Sequence, residues 1–178
     1  MPDLGVVPDT HVSTQMMDAI GQELSRQVSF PVSTSDIRRW AIAVYYPQRP
    51  PAVFIDDAAA GASQYGGIVA PQEFNPFAWL AAQTSSQGAD LDQNDPDRPE
   101  RTLGIAGPGL KFMLNGGMEV EYGVPMRPGD VITSVSRLVR YTERAGRLGL
   151  MLFTVFEDAW TNQRDELVKL TRTTLIRY

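Results

Sequence analysis

The sequence contains no cysteine and only one histidine, His11, among its 178 residues. Thiol catalysis, disulfides and cysteine-bearing zinc sites are therefore excluded. A zinc site built from several histidines is excluded too. Any histidine-dependent chemistry must use His11 or borrow the residue from another chain. Lysine is nearly absent: Lys111 and Lys169 are the only two, so the positive charge is almost all arginine. With 16 Lys+Arg against 21 Asp+Glu, the net charge is -5 and the pI is near 4.9. No basic run exceeds Arg38-Arg39, so binding to nucleic acid by counterion release has no footprint here. No apolar run approaches the ~18 residues of a membrane span. The start, Met1-Pro2-Asp3-Leu4, has neither the basic nor the apolar region of a secretory leader, so a cytoplasmic protein is expected. Gly104-Ile105-Ala106-Gly107 opens no βαβ unit, which removes a dinucleotide fingerprint.

What is present suits one globular domain spanning 1–178. Hydrophobic residues make up 43% of the chain, and a chain of this length buries ~70% of its unfolded surface. Val12, Met16, Met17 and Ile20 fall at helical spacing between Pro8 and Pro31. A second helix is signed by Ser33 and Asp36 as a capping box, with Ile37, Trp40, Ala41 and Val44 on one face. Pro47, Pro50 and Pro51 end it. Residues 72–84, opened by Pro71, are apolar on most sides and predict a helix buried all round. Residues 85–100 turn polar and predict a surface loop. Its acidic run (Asp90, Asp92, Asp95, Asp97) lacks the glycine and glutamate of a calcium-binding EF-hand loop.

From Met118 the period becomes two: Met118, Val120, Tyr122 and Val124 alternate with Glu119, Glu121 and Gly123. Residues 131–140, 148–160 and 166–178 follow as long strands, separated by turn chemistry such as Pro128-Gly129-Asp130. Four such strands predict an antiparallel meander with 148–156 at its centre. A sheet wrapped around a buried central helix is an α+β, hot-dog arrangement.

Three stretches carry a family resemblance. Asp36-Ile37-Arg38-Arg39-Trp40-Ala41, Tyr65-Gly66-Gly67-Ile68-Val69-Ala70-Pro71, and Asn115-Gly116-Gly117 through Tyr122 to Arg127-Pro128-Gly129-Asp130 together resemble the N-terminal MaoC-like dehydratase family, also called FAS1-like dehydratase domains. The resemblance covers roughly residues 30–178. It implies a hot-dog domain that handles acyl thioesters of coenzyme A or acyl carrier protein. The reaction implied is reversible hydration of an enoyl thioester. Coenzyme A enters only as part of the substrate, and no cofactor is implied.

Catalytic members of the family carry an Asp-x-Asn-Pro-x-His motif after the helix. Its two ionisable groups serve as the base and acid that the reaction needs, while N–H donors hold the developing enolate. Here the corresponding stretch, Val44 through Asp56, has no histidine, and its only aspartate comes too late. The chain therefore resembles the non-catalytic subunit of a heteromeric enoyl-CoA hydratase, of the kind used on bulky acyl chains, steroid side chains included. The partner implied is a MaoC-type subunit carrying the missing motif.

The residues expected to meet substrate are Tyr46, Tyr65, Gly66, Gly67, Ala70, Phe74, Asn115, Gly116 and Gly117, with other aromatics such as Tyr45 and Trp79 as core or tunnel residues. Glu73 is the one weak catalytic candidate, since some hot-dog thioesterases place an acid in the first turn of the central helix. Its plainer role is to offset the helix dipole, worth ~0.3–1 kcal/mol. Two alternatives stand beside the hydratase subunit: a homodimeric acyl-CoA thioesterase using Glu73, and an acyl-CoA-binding module without turnover.

Overall fold

The computed structural model describes residues 10–80 and 94–178. Helix α1 (Thr14–Asp18) leads into strand β1 (Glu23–Val28), then helix α2 (Thr34–Tyr45) and the short helix α3 (Asp57–Gly61). Helix α4 (Arg98–Thr102) precedes four long strands: β2 (Met113–Tyr122), β3 (Thr133–Gly146), β4 (Gly149–Thr161) and β5 (Leu167–Arg177). They form one antiparallel sheet in the order β1-β3-β4-β5-β2, the expected α+β architecture with β4 central.

Four expectations change. The four late strands are not a simple meander, because β2 pairs with β5 rather than β3. The chain leaving β2 crosses the end of the sheet through residues 123–132 before entering β3, and that crossing builds one wall of the site below. The N-terminal helical stretch is only α1. Gly21, at φ 88°, turns the chain into β1, and its N–H donates to Leu138 O at 2.7 Å. Edge strand β1 is exposed at nearly every position, so it carried no alternating signal.

The third change concerns the central helix. The long helix packed on the sheet is α2, capped by Ser33, whose hydroxyl accepts from the Asp36 N–H at 3.0 Å. Ile37 and Ala41 on its inner face are fully buried. The segment expected to be helical, 72–84, instead runs through turns to a single 3₁₀ turn at Ala78–Leu80, and 81–84 lie outside the described residues. Asn75 explains the break. It precedes Pro76, which disfavours helical backbone, and its side-chain oxygen accepts from the Phe77 N–H at 2.9 Å in competition with helical bonding. The apolar signal there came from burial: Phe74 and Phe77 join the core, with Phe77 edge-on to Trp160 at 5.2 Å.

The far end of the sheet holds a buried polar cluster. Arg177 is fully buried on β5 and makes two 2.8 Å bonds to the Glu100 carboxylate and one to Thr154 Oγ1. Glu100 sits on α4, inside the stretch expected to be a surface loop. Residues 94–100 are thus partly helical and partly buried, while 85–93 lie outside the described residues. Tyr141 donates to Glu100 Oε1 at 2.7 Å. Burial first, and then the hydrogen bond and charge of Glu100, push the Tyr141 phenol well above its usual value of 10.0. The folded chain then keeps a proton that the unfolded chain releases. Stability from this group is complete below pH 10 and falls as pH rises further. Tyr141→Phe is expected to flatten that alkaline slope by one proton, as measured by urea unfolding across pH 9–11.

Candidate functional site

A cleft of about 400 Å³ opens at the end of the sheet where β2 finishes and β5 begins. One wall is the segment after β2, with Val124 and Met126. The other comes from the helical side, with Tyr45 at the end of α2, Phe54, Tyr65 and Ala70. Two of the sequence motifs hold the walls together. Arg127 Nη2 donates to the Tyr65 carbonyl at 2.8 Å, and the Ala70 N–H donates to Met126 O at 2.9 Å. Asp130 fixes the same turn by accepting from the Arg127 N–H at 2.8 Å, while Gly129 adopts φ 88°.

Gly123 passes so close to β5 that a Cβ would lie 2.0 Å from Leu167 O, so the floor of the cleft requires glycine there. Tyr122 and Lys169 are register partners and close that side. The Lys169 ammonium lies 5.0 Å from the Trp160 ring centre and 5.8 Å from that of Tyr122, within cation–π range. The hydroxyls of Tyr45, Tyr65 and Tyr122 are bonded to no described residue.

The nine residues expected to meet substrate do not gather in one place. Tyr65 and Ala70 line the cleft, with Gly66 (φ 65°) and Gly67 in the loop between them. Phe74 lines a separate apolar hollow with Phe30, Trp40 and Trp79. Tyr46 is 80% exposed. Asn115, Gly116 and Gly117 form a bulge in β2, where Asn115 Oδ1 accepts from the Gly117 N–H at 2.8 Å. A Cβ on Gly116 would lie 2.8 Å from Thr174 Cγ2, and Gly116 and Gly117 line a separate hollow of about 230 Å³ with Arg140 and Arg172. Phe54, Tyr122, Val124, Met126 and Lys169 also line the cleft and were not named as substrate contacts from the sequence, although Tyr122 and Val124 stood out in its alternating pattern and Lys169 as one of two lysines.

Among the described residues, no aspartate, glutamate or histidine lines the cleft. Asp56, the late aspartate of the motif stretch, caps α3 by accepting from the Ala59 N–H at 3.0 Å. Glu73 lies on a turn, 64% exposed, in a 3.2 Å ion pair with Lys169. His11 bonds Leu150 O at 2.9 Å through Nε2, and its N–H donates to Glu143. Leu150 is ten residues along β4 from Trp160, which places His11 about 30 Å from the cleft along the strand. Arg38 is committed to Ile55 O and Asp57, leaving Arg39 as the solvated neighbour. No group of three or more acidic or histidine residues among those described is placed to hold a metal, and no described helix is long and apolar enough to cross a membrane.

The model of the FAS1-like dehydratase domain region matches residues 18–171, most of the chain. The chain belongs to that family. Its cleft walls, the Tyr65–Pro71 loop against the Arg127–Asp130 turn, both lie within the matched residues. No curated protein matches this FAS1-like dehydratase-region chain.

Solved structures do resemble it. A MaoC-like dehydratase from Rhodospirillum rubrum is 21% identical, covering 86% of this chain and 90% of that one, with a TM-score of 0.52. A chain of the ChsH1-ChsH2 complex from Mycobacterium tuberculosis is 22% identical over 86% and 83%, with a TM-score of 0.60. A chain of the HadBC (3R-hydroxyacyl-ACP dehydratase) complex from the same organism is 20% identical over 88% and 99%, with a TM-score of 0.51. At such identities the likeness is one of fold, and the fold is the hot dog.

Proposed function

We propose that this chain is the acyl-binding, non-catalytic half of an enoyl-CoA hydratase, equivalently a 3-hydroxyacyl-thioester dehydratase. A MaoC-type hot-dog partner supplies the aspartate and histidine. The observation that carries this is the cleft itself. It is built within the family-matched residues and is of a size usual for small-molecule sites. It offers apolar walls and phenols but no acid–base pair. Adding water across an enoyl thioester requires a proton donor and acceptor near the reacting carbons. Asp56 is spent on a helix cap and Glu73 on an exposed ion pair, and His11 is at the opposite end of the sheet.

The two sheet edges differ in a way that favours a partner at β2. Edge β1 is six residues long and carries Glu23 and Arg26 in an ion pair, a protected edge. Edge β2 is ten residues long and exposes Leu114, Met118 and Tyr122. A second sheet joined there would lie directly beside the cleft, because Tyr122 belongs to both. The partner's catalytic groups would then face an acyl chain held by this subunit, with coenzyme A as part of the substrate and bulky acyl groups, steroid side chains included, as the expected class.

The thioesterase reading needs Glu73 free as a nucleophile or base. Its position on an exposed turn, bound to Lys169, gives it neither a helix terminus nor a buried site. The test is an enoyl-CoA hydration assay on the isolated chain, on a MaoC-type subunit encoded nearby, and on the two together. Turnover well above that of either part alone supports the proposal. Full turnover or thioester hydrolysis by the isolated chain overturns it.

A further inference from the structure

We infer that the cleft reads an anionic oxygen group on its ligand, a carboxylate or a phosphate, and that Lys169 is the residue that reads it. This rests on the cleft being the acyl-thioester site and adds to it the charge of the ligand. Lys169 is only 13% exposed in its side chain, yet the carboxylate it meets, Glu73, is 64% exposed. An ion pair with so open a partner contributes little and is readily exchanged. The cation is held in place by other means. Its ammonium lies over the faces of Trp160 and Tyr122. The Trp160 indole is itself locked, donating to Asp158 Oδ2 at 2.9 Å, while Ser134 donates to Asp158 Oδ1 at 2.6 Å.

The result is a positioned cation with a replaceable counter-ion. Of its three N–H donors, Glu73 engages one. Tyr45, Tyr65 and Tyr122 line the same cleft, their hydroxyls without partners among the described residues, so an oxygen-rich anion entering there finds further donors beside the ammonium, whereas a purely apolar ligand would give none of them a partner. Lys169 is one of two lysines in a chain that otherwise uses arginine.

Three probes separate the possibilities by calorimetric titration of the full chain: octanoyl-pantetheine (neutral), octanoyl-CoA (phosphates), and the pantetheine monothioester of octanedioic acid (a free carboxylate). The wild type is expected to bind at least one anionic probe tenfold or more tightly than the neutral one, and which one does so names the anion. Lys169→Met should bring that ratio close to one, and Lys169→Arg should keep most of it. Glu73→Gln should raise it, because the competing carboxylate is gone. Melting curves confirm that each variant is folded. If the neutral probe binds but no anionic probe binds better, or if Lys169→Met keeps the preference, the inference fails while the cleft remains an acyl site. If no probe binds, the acyl-site reading fails and this inference with it.

Discussion

Replacing Glu100 by alanine is expected to destabilise the chain by about 3–5 kcal/mol, because it leaves a buried charge without its partner. The carboxylate is fully buried and takes two 2.8 Å bonds from the equally buried Arg177, plus one of 2.7 Å from Tyr141. Without it the guanidinium keeps only the Pro96 carbonyl, Thr154 and the more distant Asp97 carboxylate at 3.5 Å. A charge buried with so little compensation costs far more than the hydrogen bonds themselves.

The same physics makes the double replacement milder. Glu100→Leu with Arg177→Met removes both charges and fills the space, so its loss should be well below the sum of the two single losses. Such non-additivity is the mark of a directly coupled pair. Urea unfolding of the four proteins measures it, and additive losses would show that the pair does not act as a unit.

That cluster also shows why parts of the fold were hidden in the sequence. Residues 85–100 read as a polar loop because their composition is Asp, Asn, Gln and Pro. What buries Glu100 is an arginine 77 positions away, and local composition carries no trace of it. Strands β3 to β5 were legible because a half-buried strand alternates, and β4 was placed centrally because it is apolar on both faces; β2 alternates in sequence from Met118 although most of its positions are exposed. Edge strand β1 was not legible, since an exposed edge need not alternate. The buried turn at Phe74–Phe77 imitated a helix because apolarity reports burial, and only Asn75-Pro76 reported the backbone.

The site divides in a similar way. The Tyr65–Pro71 and Arg127–Asp130 motifs were visible as segments, and the structure adds the Arg127–Tyr65 bond that joins them. Asn115-Gly116-Gly117 was equally visible, but its glycines serve the β2 bulge and close packing on Thr174. Lys169 and Tyr122 enter the cleft only because β2 and β5 pair in register. That fact belongs to topology and not to any short stretch of sequence.

The second large effect concerns catalysis. If the acid and base belong to the partner, their loss should remove most of the rate of the assembled enzyme, about 10²–10⁴-fold for each proton-transfer group. Loss of this chain's one imidazole should not matter, because His11 ties the N-terminal segment to the β3–β4 hairpin far from the cleft. The deciding measurement is therefore enoyl-CoA hydration by the reconstituted pair in two forms. One carries alanine for the histidine of the partner's Asp-x-Asn-Pro-x-His motif, and the other carries His11→Ala in this chain. The expected result is a collapse of turnover in the first and an unchanged rate in the second. An intact rate in the first, or a collapse in the second, would place the catalytic groups in this chain and contradict the division of labour proposed here.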